Sequence, residues 1–97
     1  MTFEELQAAL KEFDLPEQVT LQKIRERHRQ LVRQYHPDHG AEADNDKIRR
    51  VNAAYKILME YVSQYRFDFS RETFFAHYPE ERLREQFYDV GLWGGKG

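Results

Sequence analysis

The stretch LQKIRERHRQLVRQYHPD, residues 21–38, decides the fold. Leu21, Ile24, His28, Leu31 and Tyr35 recur every three or four positions, which is one stripe of an α-helix. Thr20 is a good N-cap for it. Pro37 disfavours the α region for the residue before it, so the spacing predicts a helix that stops near Tyr35 after about 22 Å. A loop then starts at a fixed point, with the imidazole of His36 and the carboxylate of Asp38 on either side of the proline.

Downstream, Asp44 or Asn45 can cap a further helix. Ile48, Val51, Tyr55, Leu58, Val62 and Tyr65 repeat the three-four stripe. Ala54 lies beside that stripe, where a small side chain allows close approach. Two matched stripes joined by one loop predict an antiparallel helical hairpin. The loop, from about His36 to Ala43, is at the long end for a helix–helix connection, and ordered loops of that kind tend to carry function.

Upstream, Thr2 and Glu5 form a capping-box pair at the start of an N-terminal helix. Phe3, Leu6, Leu10 and Phe13 would lie along its apolar face, and Asp14-Leu15-Pro16 breaks it. After Phe67 the pattern changes. Ser70 can cap a short helix through Phe74, Phe75 and Tyr78. Pro79-Glu80-Glu81 reads as another start, with acids at the positive end of the dipole. Leu83, Phe87 and Tyr88 give that last helix an apolar side, and Gly91 ends it before Leu92-Trp93-Gly94-Gly95. The expected fold is therefore all-α, with extra short C-terminal helices. Residues 1–67 form the main domain, and residues 68–97 an aromatic-rich helical extension with a Gly-rich tail. Phe74, Phe75, Phe87 and Trp93 either pack back on the hairpin or form an exposed aromatic patch for a client or second protein.

The chain has 97 residues, no cysteine and a formal net charge of −2. That length suits a single small domain with a modest core. The lack of cysteine rules out disulfides and thiolate metal sites. The N-terminus has no apolar h-region, and no apolar run is long enough to span a bilayer, so a cytoplasmic protein without a membrane segment is expected. The charge is unevenly spread. With the Leu21–Tyr35 stripe turned inward, Lys23, Arg29 and Arg33 point outward, Arg25 and Arg27 sit on the flanks, and Glu26 is the sole acid among them. A basic face beside a rigid loop suits a partner with an acidic surface, with encounter sped by long-range attraction and weakened by salt.

The run Leu31-Val32-Arg33-Gln34-Tyr35-His36-Pro37-Asp38 resembles the end of helix II in J-domains, the DnaJ-type co-chaperones. Val51-Asn52-Ala53-Ala54-Tyr55-Lys56-Ile57-Leu58 resembles that family's helix III, and together the resemblance covers roughly residues 3–67. There are departures. Ala9-Leu10 and Phe13-Asp14 stand where the family's first helix usually carries Tyr-Tyr and ends in Leu-Gly. His28 sits at a core-side position that is often tyrosine, and Gln30 stands where a second base is common. The loop is on the short side for the family. The family's fourth helix has only a loose echo in Gln64-Tyr65-Arg66.

The resemblance implies a partner rather than a reaction. J-domains bind the ATPase domain of DnaK-type heat shock chaperones and stimulate ATP hydrolysis. Carried over by position, His36, Pro37 and Asp38 would be the signalling loop, and Arg25, Arg29 and Arg33 the docking face. Tyr35, Leu31, Ile48, Val51, Tyr55 and Leu58 would hold the hairpin. Asp38 can pair bidentately with a partner arginine, and Pro37 limits the entropy lost on docking. His36 can serve the loop or reach the partner.

Other classes fit less well. Catalysis by His36 and Asp38 lacks a nucleophile, an oxyanion site and a phosphate loop, so no enzyme and no cofactor are expected. A metal site on His36, Asp38 and His39 has no diagnostic spacing. His28 is expected to be a satisfied, partly buried histidine and His77 an ordinary surface one. The main alternative is a small helical nucleic-acid-binding domain that uses the basic second helix. Its connection is too long for a helix-turn-helix and its net charge is slightly negative, so neither a nucleic-acid nor a membrane partner is expected.

Overall fold

A computed structural model describes residues 1–38 and 40–89. They form five α-helices: α1 (Phe3–Glu12), α2 (Leu21–Tyr35), α3 (Asn45–Ser63), α4 (Arg71–His77) and α5 (Pro79–Asp89). No strand occurs among the described residues. The chain divides into one unit over Met1–Tyr65 and a second that begins at Arg66.

Each helix of the first unit starts where a side-chain oxygen satisfies an otherwise orphaned amide. The hydroxyl of Thr2 accepts from the Glu5 N–H at 3.1 Å, that of Thr20 from Lys23 at 3.1 Å, and the Asp44 carboxylate from Lys47 at 3.1 Å. The ends are equally local. Helix α2 stops at Tyr35 because His36, ahead of the proline, takes an extended conformation at φ −62° and ψ 133°. Helix α1 closes in a Schellman arrangement, in which Leu15 N–H reaches the Leu10 carbonyl and Asp14 N–H the Lys11 carbonyl. That turn places Asp14 at φ 53°, the left-handed region. Glycine is the usual residue there, and Asp is among the few others that tolerate it.

Helices α1 and α2 both pack antiparallel to α3. Near its N-terminus, the Lys47 ammonium bonds Glu12 at 2.7 Å and lies 5.4 Å from the centre of the Tyr35 ring. A turn or two further on, Asn52 and Tyr55 meet His28. Both α1 and α2 thus present their C-terminal ends to the start of α3. The core consists of Ala9, Phe13, Ile24, Leu31, Val51, Ala54 and Leu58, with Phe13 and Val51 fully enclosed. The rings of His28 and Tyr55 stack face to face at 3.8 Å, and the Phe13 ring lies parallel to both at 6.1 and 6.3 Å. His28 is half-buried, and one ring nitrogen is 3.2 Å from the Asn52 side-chain oxygen, so its polar edge is satisfied.

Two expected core positions are corrected. Phe3 is 66 % exposed, and Ala9 takes the buried place on α1. The small alanine lets α1 approach Ala54 of α3, whereas Phe3, in the first turn, extends past the packed surface. Tyr65 is 64 % exposed because α3 ends at Ser63, before the stripe reaches it.

In the second unit, Ser70 caps α4 by accepting from the Thr73 N–H at 3.2 Å. Phe75 is its one buried large side chain among the described residues. It packs edge-on to Phe74 and lies 4.9 Å from the Arg71 guanidinium and 5.9 Å from that of Arg82. Arg71 also pairs with Glu85, which ties α4 to α5. Phe74 and Phe87 remain 45 % and 48 % exposed, so neither has the core burial considered for it. Leu83 and Tyr88 are exposed as well. Gly91 and Trp93 lie outside the described residues.

Asp68 precedes α4 and accepts from the Ser70 N–H at 2.9 Å and the Thr73 hydroxyl at 2.7 Å. The Thr73 hydroxyl first, and the Ser70 amide second, hold its carboxyl below the usual range, against a small opposing effect of desolvation. A lowered folded-state value means that this contribution to helix initiation is complete above the ordinary Asp value of about 3.9 and is lost as pH falls through the lowered one. Side-chain carboxyl NMR should therefore show Asp68 titrating below about 3.9, and Thr73→Val should move its midpoint upward. A wild-type midpoint at or above the ordinary value would contradict this arrangement.

Candidate functional site

Arg25, Arg29 and Arg33 are each one helical step of four residues apart, so they form a slowly turning row about 12 Å long on α2. All three are exposed, on the side away from the buried Ile24 and Leu31. None has a hydrogen-bond or ion-pair partner among the described residues. Glu26 forms no ion pair with them; its carboxylate accepts from the Gln22 side chain at 3.3 Å. Lys23 is exposed too.

Arg27, expected on a flank of this face, is diverted. Its Nε donates to the Phe13 carbonyl at 2.9 Å and its Nη1 to the Gln30 side chain at 3.2 Å. A guanidinium at the C-terminal end of α1 satisfies a carbonyl there and opposes the negative end of the helix dipole. Arg27 thus fastens α2 to α1. Nothing in the local sequence distinguishes it from its basic neighbours, because its partner is 14 residues away.

At the end of the arginine row the chain turns through His36, Pro37 and Asp38. The Asp38 N–H donates to His36 Nδ1 at 3.1 Å. His36 is half-buried, while Pro37 and Asp38 are exposed. The Asp38 carboxylate has no partner among the described residues, so it is available to a donor from outside. His39, considered as a metal ligand, lies outside the described residues. The return limb of the loop was not singled out by the sequence, yet it is well tied. Glu42 N–H bonds the Gln34 carbonyl, Asp44 N–H bonds the Tyr35 carbonyl, and the Gln34 and Glu42 side chains bond each other at 2.9 Å. Asp44 thereby closes α2 with its amide and opens α3 with its carboxylate.

The structure therefore brings together a cationic row without partners among the described residues and, at its end, an anchored loop that holds out a carboxylate. The family model described as the DnaJ domain matches residues 10–68, more than half of the 97 residues. The chain belongs to this family: it is a J-domain protein, with the co-chaperone role that defines the class. No curated protein and no solved structure matches it. No helix among the described residues is long and apolar enough to cross a membrane.

Proposed function

We propose that this chain docks on the ATPase domain of a DnaK-type chaperone and stimulates its ATP hydrolysis. Residues 1–67 are the docking module. Arg25, Arg29 and Arg33 steer and hold an acidic surface of the chaperone, and His36, Pro37 and Asp38 deliver the signal. The observation that carries this reading is the exposed arginine row, without partners among the described residues, that runs into the tied loop within a segment matching the DnaJ domain. The chain does no chemistry itself. Docking shifts an equilibrium inside the chaperone, and the coupling is a difference in affinity between chaperone states. Residues 68–97 recruit a client or second protein through exposed aromatics, and the protein works in the cytoplasm.

The reading is tested by steady-state ATP turnover of a DnaK-type chaperone titrated with the full chain, where saturable stimulation is expected. Arg29→Glu gives a second check. Reversing one charge in the middle of the row should slow association by about tenfold at low ionic strength and by much less at high salt, where the Debye length falls to about 3 Å. Stopped-flow association at two salt concentrations measures this. A deficit of equal size at both would argue against steering by this face.

A further inference from the structure

The last carbonyls of a helix need donors, and at the end of α2 the loop itself supplies them. Glu42 N–H donates to the Gln34 carbonyl at 2.9 Å, Asp44 N–H to Tyr35 at 3.0 Å and Gly40 N–H to His36 at 2.8 Å. Residues 40–44 thus run back along the final turn of α2 as a strap. The approach is tightest at Gly40. A Cβ there would stand 2.5 Å from the Gln34 carbonyl oxygen, 2.6 Å from the His36 nitrogen and 2.8 Å from the Gln34 carbonyl carbon. All three are backbone atoms, so no change of rotamer can relieve the clash; either the strap or the start of the His36–Asp38 turn must move.

We propose that Gly40 is a positioning residue for the His36-Pro37-Asp38 signal: its missing side chain lets the strap close on the end of α2 and sets the angle at which the Asp38 carboxylate is presented. This rests on the co-chaperone reading above. Pro37 has no amide to donate, so beyond the Asp38 N–H bond to His36 Nδ1 within it, the turn draws its support from its two flanks. One flank is helical. The other is the strap, which bonds the carbonyl of His36 through Gly40 and those of Gln34 and Tyr35 through residues further on. Moving the strap frees the turn, and the order set before docking is lost. The arginine row lies on the body of α2 and keeps its place.

The expected signature is a split. With a DnaK-type chaperone and the full chain, Gly40→Ala should lower maximal ATPase stimulation by about tenfold while the half-saturating concentration changes by less than about threefold. Helical CD should be retained. Amide exchange at Glu42 and Asp44 should quicken by at least about tenfold. A purely structural glycine would lower the melting temperature and leave maximal stimulation by the folded protein unchanged. Should Gly40→Ala lose its helical CD, a synthetic chain with an ester at the Ala41–Glu42 link removes one strap donor without adding bulk and should show the same split. If wild type stimulates and Gly40→Ala or the ester chain stimulates equally, the inference is overturned and the co-chaperone reading stands. If wild type itself does not stimulate, the co-chaperone reading fails and takes the inference with it.

Discussion

Replacing Phe13 with alanine is expected to leave the N-terminal helical unit largely unfolded at physiological temperature. Phe13 has no exposed surface and sits at the junction of all three helices. Its ring lies parallel to those of His28 on α2 and Tyr55 on α3, and its carbonyl receives the Arg27 guanidinium. A Phe→Ala change at such a site costs about 3–5 kcal/mol, through lost burial and the cavity left behind. A core in a unit of this size rarely supplies more than about 3–5 kcal/mol in all, so the two quantities are comparable. The other tertiary ties cannot compensate. The Lys47–Glu12 pair, 21 % exposed on each side chain, is already present in the wild type and adds nothing new to offset the loss. Thermal and urea denaturation followed by far-UV CD measures the effect. A Phe13→Ala melting temperature within a few degrees of wild type would mean that the core can close over the cavity.

The second large effect concerns activity alone. Asp38→Asn should leave helical content and melting temperature unchanged and reduce stimulation of chaperone ATPase by at least about tenfold. The carboxylate is exposed and has no hydrogen-bond or ion-pair partner among the described residues, so its loss removes no polar tie from the fold. The tie that shapes this part of the turn uses the Asp38 backbone amide, which asparagine keeps. Asparagine also keeps one acceptor oxygen but loses the charge and the second acceptor, so a bidentate pair with an arginine becomes a single neutral contact. Hydrogen bonds to charged groups are worth about 1.5–3 kcal/mol, or roughly 10- to 100-fold. Docking through the arginine row should persist. A variant with much weaker stability, or with full stimulation, would be incompatible with a carboxylate that serves only the partner.

The sequence disclosed what is encoded over three or four residues. The caps Thr2, Thr20, Asp44 and Ser70 each act on an amide three positions on, and the stop at Tyr35 follows from the proline two residues later. The hairpin stripes, His28 as a satisfied core-side histidine and the exposed arginine row are legible for the same reason: helical periodicity sorts faces. What depends on distant chain segments was not legible. Arg27 looks like its basic neighbours until packing on α3 brings the end of α1 close enough to offer it the Phe13 carbonyl. Phe3 fits the apolar face of α1 by spacing, yet the contact with Ala54 favours Ala9. Gly40 reads as ordinary loop composition, because its tight approach to Gln34 exists only once the loop has folded back. The apolar side of α5 is correctly patterned, yet Leu83, Phe87 and Tyr88 stay exposed among the described residues.

The central claim is that this chain signals to a DnaK-type chaperone through the loop at the end of α2. The most direct measurement is single-turnover ATP hydrolysis by a preformed chaperone–ATP complex, mixed with increasing wild-type chain. The prediction is a hydrolysis rate that rises with concentration to a plateau at least about tenfold above the basal rate, an acceleration of about 1.4 kcal/mol in barrier. A hydrolysis rate that stays at its basal value across the whole concentration range would contradict it.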